Sequence, residues 1–267
     1  MSLHRRHLML LAATAAAGGA HPFARADNSA PIADVNEAIN QSGRQRMLSQ
    51  RMGKAWLAIG LGVDVARAQK ALAESMALFE RQLQALTAYA PTPEFKQSCG
   101  QMAPLWANYQ AMLQVAPGAA RSEAVRTQGD RVLILAHQST QQLERFAEQP
   151  VARLVNLAGR QRMLSQRLAK CHLALSWGAP VAETQAQILS ARRDFVAAHS
   201  VLSQAPQTTA AIQQELALVQ QQWFFFDHVL ARGDASPDTG ASHVFVSSEN
   251  ILQVMERITG LYARLGA

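Results

Sequence analysis

The sequence predicts an all-α protein built from two four-helix, up-and-down bundles in tandem, with about eight helices in all. Three observations support this fold class. Ala, Leu and Gln are abundant and runs of β-branched residues are nearly absent, a composition that favours helices. Pro, Gly and capping residues divide the chain into long helical stretches with short connections, which is typical of antiparallel neighbours. One nine-residue segment occurs twice, 116 positions apart.

The first 26 residues are interpreted as an export signal. Arg5 and Arg6 precede a mildly apolar run over 8–17, and Ala24-Arg25-Ala26 fits a small-x-small cleavage site, so we expect cleavage after Ala26 and a periplasmic product. The arginine pair also weakly resembles a twin-arginine signal, which leaves both the Sec and the Tat route open. The apolar run is shorter than the ~20 residues that span a bilayer, and no later run qualifies.

Capping signals place the helices of the first half. Asp34 with Glu37 three residues later resembles a capping box, Asp64 is expected to cap the second helix, and Thr92 followed by Pro is a favoured helix start. Ser122 is expected to begin the fourth helix. The predicted helices cover 34–58, 64–90, 92–117 and 122–149.

The second half repeats this plan. Its first helix begins with Pro150, and its last is expected to begin at Ser242 after the longest loop of the chain, 233–240. The predicted helices cover 150–177, 180–204, 209–232 and 242–265. We therefore divide the chain into two sensing-type helical repeats, over 27–149 and 150–267.

The repeated segment reads Gly-Arg-Gln-Arg-Met-Leu-Ser-Gln-Arg, at 43–51 and 159–167. Similarity between the halves continues faintly beyond it, which indicates a duplicated domain rather than a solenoid array. The same offset, or one residue more, matches further pairs: Lys54 with Lys170, Phe79 with Phe195, and Trp106 with Trp223.

Aromatic and sulfur residues outside the segment are weighed as structural. We expect Trp106 and Trp223 to be core residues, and the run Phe224-Phe225-Phe226 to lie at a contact between the bundles rather than on a membrane. Cys99 and Cys171 could form one disulfide or be separately buried.

The formal charge of +6 conceals a local concentration of positive charge. Removal of the signal would leave +3, and the stretches 40–54 and 156–170 together hold eight cations and no acid, so the rest of the mature chain sums to −5. Such focusing favours a local anion site over a broad nucleic-acid surface, and export makes nucleic acid a still poorer candidate.

Helical phasing sorts the segment into stripes. Gly43, Arg46, Gln50 and Lys54 share one stripe, and a second basic stripe and an apolar stripe flank it. Glycine inside a helix costs about 1 kcal/mol, so Gly43 and its copy require a reason such as close approach of a backbone or a ligand. Arginine suits a planar oxyanion because its fork donates two parallel hydrogen bonds. The candidate ligand-binding residues are Arg46, Arg162, Gly43, Gly159, Arg51, Arg167, Gln50 and Gln166, with possible support from Arg44, Arg160, Asn40 and Asn156.

A structural interpretation of the same pattern is a solvated basic helix face whose arginines pair with acids on neighbouring helices. The comparison between the halves favours function, because the Gly, the Arg and the Gln residues persist where most other positions have diverged.

The motif Asn-x-x-Gly-Arg-Gln-Arg-Met-Leu-Ser-Gln-Arg resembles the signature of the N-terminal sensing domain of type IV pilus methyl-accepting chemotaxis transducers. It is also similar to the periplasmic signature Gly-x-x-Arg-Met-x-x-x-Arg of nitrate and nitrite sensor kinases. In those sensors the Arg before Met contacts nitrate at a dimer interface. The resemblance therefore implies contact through Arg46 and Arg162 in an internal pseudo-dimer, a supporting role for Arg51 and Arg167, and no assigned role for Arg44 and Arg160.

The resulting functional expectation is a binding or sensor module for a small oxyanion, nitrate or nitrite, with no cofactor, no metal site and no catalytic constellation. Because no transmembrane stretch follows the sensing region, we expect a membrane-bound signalling or transport partner to report the bound state, and a homodimer is possible. The alternative is a structural or scaffold protein of a pilus or envelope assembly whose basic helices dock an acidic partner.

Overall fold

Eight α-helices make up the described chain, and no strand occurs within it. The structure is a computed structural model that describes residues 31–232 and 237–265, so the predicted export signal lies outside the described residues. The all-α class is confirmed. The helices are α1 (Val35–Gly60), α2 (Val65–Tyr89), α3 (Pro93–Gln114), α4 (Ala119–Ala147), α5 (Pro150–Ser176), α6 (Val181–Gln204), α7 (Ala210–Arg232) and α8 (Pro237–Leu265).

Two of the predicted caps form as expected. The Asp34 carboxylate accepts a hydrogen bond from the backbone N–H of Glu37 at 2.9 Å, and the Thr92 hydroxyl accepts one from the N–H of Phe95 at 3.2 Å. These side chains satisfy amide groups that lack an intrahelical partner, which explains why α1 and α3 begin where they do.

Two predicted starts are wrong, and α2 begins after Asp64 as expected but without the predicted cap. Asp64 precedes α2 with φ +41 and makes no capping bond, because its carboxylate accepts a hydrogen bond from the Ser242 hydroxyl at 2.7 Å. Ser242 lies within α8 rather than at its start. The helix begins five residues earlier at Pro237, a residue type suited to a first helical turn. Similarly, Ser122 lies within α4, which begins at residue 119 after Gly118.

The two halves pack through their first helices. In each half the first helix contacts the second and the fourth, and the third packs on the fourth, as in an up-and-down bundle. The most extensive contact in the molecule joins α1 to α5 across the halves. These two helices run parallel and in register, since Gly43 lies beside Arg162 and Gly159 beside Arg46 near one end, and Gly53 lies beside Lys170 further along both helices. The ranges 27–149 and 150–267 as separate domains stay a prediction.

Because neighbours surround it, α1 is buried on nearly every side between Asn36 and Ala58, and α5 is nearly as enclosed. The interpretation of the basic stripes as a solvated face is therefore wrong. The surrounding core includes two equivalent aromatic stacks, with ring centroids 4.2 Å apart for Phe79 and Trp106 and 4.1 Å apart for Phe195 and Trp223.

The remaining structural expectations have mixed outcomes. Of the phenylalanine run only Phe226 is buried; Phe224 and Phe225 are 70% and 67% exposed, so their expected place between the bundles is wrong. Cys99 and Cys171 are separate, buried free thiols. None of the helices described is long and apolar enough to cross a membrane.

The aromatic stacks give a test of the packing. Replacing Trp106 with Ala removes a side chain that is 3% exposed, stacked on Phe79 and hydrogen-bonded to Glu80. We expect the free energy of unfolding to fall by about 3–5 kcal/mol in a urea titration. Phe224→Ala, which truncates an exposed aromatic, should change it by less than about 0.5 kcal/mol. Equal losses in the two variants would contradict the assigned core.

Candidate functional site

Two arginines meet between α1 and α5, beside a glycine of each helix. A Cβ added to Gly43 would lie 3.0 Å from Nη2 of Arg46 and 3.6 Å from Nη2 of Arg162, and one added to Gly159 would lie 3.1 Å from Nη2 of Arg162 and 3.3 Å from Nη2 of Arg46. Both guanidinium groups therefore occupy the space left by both glycines. This packing is the reason for glycine at two mid-helix positions.

The arginines bridge the two helices in a reciprocal way. Nη2 of Arg46 donates to the carbonyl oxygen of Asn156 at 3.1 Å, and Nη2 of Arg162 donates to the carbonyl oxygen of Asn40 at 3.1 Å. Arg46 is 1% exposed and Arg162 is fully buried. The internal pseudo-dimer implied by the sequence motif thus forms within one chain, with its two arginines side by side.

Arg162 has a carboxylate partner. Its Nη1 donates to Oε2 of Glu256 at 2.8 Å and to Oδ1 of Asn40 at 3.0 Å. Arg44 binds the same carboxylate, with Nη2 2.9 Å from Oε2. Burial opposes ionisation of Glu256, but Arg162 and Arg44 outweigh it and hold the pKa of this carboxyl at about 2. The α8 carboxylate is therefore a fixed negative charge shared by two arginines.

Arg46 has only neutral partners. Besides Asn156, its guanidinium contacts Nδ1 of His137 at 3.3 Å and the carbonyl oxygen of Gly43 at 3.5 Å, and no carboxylate among the described residues lies within 4.0 Å. Burial, followed by repulsion from Arg162 and Arg160, lowers the pKa of Arg46 to about 9.

His137 is neutral at physiological pH. Burial and the adjacent Arg46 lower the pKa of His137 to about 4, so its Nδ1 can accept the hydrogen bond from the guanidinium. The histidine supplies no charge. Glu144 attracts Arg46 but forms no ion pair with it, so none of the described carboxylates contacts this buried cation directly.

Most other cations of the repeated segments pair with acids, as the structural interpretation expected. Arg51 and Lys54 share Glu249, at 2.6 Å and 2.7 Å. The remaining ion pairs are Lys170 with Asp130 at 2.6 Å and Arg160 with Asp194 at 2.7 Å. Arg167 lines a groove of about 440 Å³ between α5 and α6.

The predicted site residues thus form two layers. The arginine layer brings together Arg46, Arg162, Gly43, Gly159, Asn40 and Asn156, with Arg44 joined through Glu256. Gln50 and Gln166 do not reach this layer: they donate to Asp130 at 3.3 Å and to the carbonyl oxygen of Ser248 at 2.9 Å. The second layer consists of Gln50, Gln166 and Arg51 with the acids and the α8 backbone that they bind.

Sequence reasoning missed the groups that α4 and α8 supply. His137, Glu249, Glu256 and Asp130 are not among the residues that the sequence predicted for the site. A signal exists, because α4 and α8 align with an offset of 119: Val125 with Val244, Asp130 with Glu249, Leu133 with Leu252, and Thr140 with Thr259.

The profile of the PilJ family, described as the N-terminal region of type IV pili methyl-accepting chemotaxis transducers, matches residues 32–140 and 146–244. The chain belongs to this family. The first match runs from α1 into α4 and the second from α5 into the first turns of α8, so the family model matches the chain once in each half. No curated protein and no solved structure matches the chain.

The buried carboxylates predict a pH dependence of stability. In the folded protein the pKa values of Glu249 and Glu256 are about 2, below the ordinary 4.5, so their contribution is complete above pH 4.5 and is lost as the pH falls towards 2. Urea titrations should therefore give a lower free energy of unfolding at pH 3 than at pH 6.

Glu249→Gln separates this effect from general acid sensitivity. It leaves Lys54 and Arg51 without their carboxylate, so we expect a loss of about 3–5 kcal/mol at pH 6 and a shallower decline towards pH 3. Glu94→Gln, at an exposed carboxylate 3.4 Å from the exposed Arg145, is the matched control and should follow the wild type. A decline in Glu249→Gln as steep as that of the wild type would contradict the assignment.

Proposed function

We propose that the chain is a periplasmic sensory module that binds a small oxyanion, nitrate or nitrite, between α1 and α5 and reports the bound state to a membrane-bound signalling partner. The observation that carries the proposal is the buried guanidinium of Arg46, which lies beside Arg162 and has only neutral acceptors around it.

Electrostatics favours an anion at this position. An isolated charge in a protein interior is costly unless an opposite charge and hydrogen bonds compensate it. The lowered pKa of Arg46 expresses that cost. A monovalent oxyanion would supply the missing charge, and a planar one matches the two parallel donors of a guanidinium.

Size favours a small ligand. The guanidinium groups fill the space above both glycines and are almost fully buried. Little room is therefore left beside them for a ligand. An ion with three or four heavy atoms meets this requirement better than an extended organic acid.

The cross-helix hydrogen bonds offer a way to report binding. Arg46 and Arg162 each hold a carbonyl oxygen of the opposite helix, so an anion that takes donors from Arg46 competes with its bond to Asn156. Loss or rotation of that bond changes the contact between α1 and α5. A ligand that binds one arrangement of the pair better than another shifts the population towards it.

Membership of the PilJ family supports a sensory role, because the family is described from chemotaxis transducers. The similarity of the motif to nitrate and nitrite sensor kinases supports the choice of anion. The scaffold alternative required basic helices free to dock an acidic partner, whereas Arg46, Lys54, Arg162 and Lys170 are buried.

An anion titration tests the proposal. In wild-type protein, nitrate or nitrite should raise the melting temperature and give a calorimetric binding signal, and stabilisation should reach about 2.7 kcal/mol at 100 times the dissociation constant. Chloride and sulfate at matched ionic strength should have smaller effects.

Variants locate the site. Arg46→Ala should remove most of the anion-induced gain, because its guanidinium is the buried cation that the proposed anion compensates. Arg145→Ala is the control, since that arginine is exposed and pairs only with exposed Glu94. Equal responses to all four anions, or a full response in Arg46→Ala, would overturn the proposal.

A further inference from the structure

The two halves of the arginine layer are not equivalent. The motif lysines reveal which residues correspond on the fourth helices, because Lys54 binds Glu249 of α8 and Lys170 binds Asp130 of α4. These two acids are 119 positions apart. The same offset makes His137 of α4 equivalent to Glu256 of α8. His137 contacts Arg46, and Glu256 contacts Arg162.

This difference decides which arginine has a carboxylate bound to it, since Glu144 attracts Arg46 without forming an ion pair with it. Glu256 gives Arg162 a carboxylate at 2.8 Å, and Arg44 fixes that carboxylate from the other side. His137 gives Arg46 one neutral nitrogen at 3.3 Å. One half of the pseudo-dimer is therefore closed by an internal anion, and the other half lacks it.

The asparagines follow the same division. Asn40 accepts from Arg162 through both its side-chain and its carbonyl oxygen, at 3.0 Å and 3.1 Å. The equivalent Asn156 offers Arg46 only its carbonyl oxygen, because its side-chain amide donates to Glu144. Its side-chain oxygen is buried without a hydrogen-bond partner. Arg46 therefore lacks the side-chain oxygen that Asn40 supplies to Arg162.

His137 lies between the buried Arg46 and the protein surface. His137 is only half-buried, whereas Arg46 behind it is 1% exposed. Arg160, whose side chain is 43% exposed, adds positive charge near the ring and is close enough to disfavour its protonation. A small anion approaching between α4 and α5 would meet this positive potential before it reached Arg46.

We propose that the anion binds to one half of the arginine pair, to Arg46 beside His137, while Arg162 stays bound to Glu256. In this proposal His137 is the specificity-determining residue, because it is the α4 equivalent of Glu256 but carries no negative charge. The exchangeable anion does for Arg46 what the α8 carboxylate does for Arg162. The inference rests on the proposed anion-sensing function and adds where the ligand lies.

The direct test is His137→Glu, which places a resident carboxylate in the open half. The variant should lose the nitrate or nitrite response, with the dissociation constant raised by about tenfold or more in calorimetry. The matched control is Gln138→Glu, which adds the same charge to the next, exposed residue of α4 and should bind as the wild type does. Circular dichroism spectra of both variants should match that of the wild type, which checks that the helices are kept.

A measurement on the wild type gives a second, independent readout. With ¹⁵N-labelled arginine, nitrate should shift the Nε resonance of Arg46, assigned from Arg46→Lys, and leave that of Arg162 in place. This experiment remains informative if His137→Glu does not fold.

The outcomes separate the two proposals. If wild type binds and His137→Glu binds equally well, or if both arginine resonances move equally, the one-sided site is overturned and the sensing function stands. If wild-type protein binds neither nitrate nor nitrite, the sensing function itself fails.

Discussion

The arrangement of this protein depends on the burial of two parallel, highly basic helices against each other. Placing the cations of α1 and α5 in the interior obliges the surrounding helices to supply acceptors, since unpaired buried charge is costly. Glu249, Glu256 and Asp130 meet most of that requirement from α8 and α4. The fourth helix of each half is thus tied to the central pair by charge as well as by apolar packing.

Duplication within one chain explains how an asymmetric site arises from a symmetric plan. Two identical subunits must present the same residue at both related positions, whereas a duplicated chain can change one position alone. Here α8 supplies Glu256 to Arg162, while α4 supplies His137 to Arg46. The family match to both halves shows that the plan was common to them, and the difference between these two residues concentrates uncompensated charge on one arginine.

Much of the fold could be predicted from sequence because its helix ends have local causes. The Asp34 and Thr92 caps act within three residues, and the repeated segment is recognisable as identical residues in the two halves. The site was harder, since its counter-ions lie far along the chain: Glu249 is 198 residues from Arg51, and Glu256 is 212 from Arg44. The alternative of a solvated basic face could not be excluded from sequence for the same reason, because the acids that pair with the buried cations lie far along the chain. Ser242 misled the assignment of α8 since its hydroxyl serves Asp64 rather than a helix end.

We propose that Arg46 pairs with an exchangeable anion, whereas the neighbouring buried cations pair with carboxylates of the protein. The most direct test of this pairing is a crystal structure of the wild-type protein grown in nitrate and, in parallel, in a nitrate-free buffer. We predict planar anion density within hydrogen-bonding distance of the Arg46 guanidinium, beside His137, in the nitrate crystals alone, with Arg162 still on Glu256. Identical structures in which Arg46 keeps its bond to Asn156 and no anion lies beside it would contradict the account.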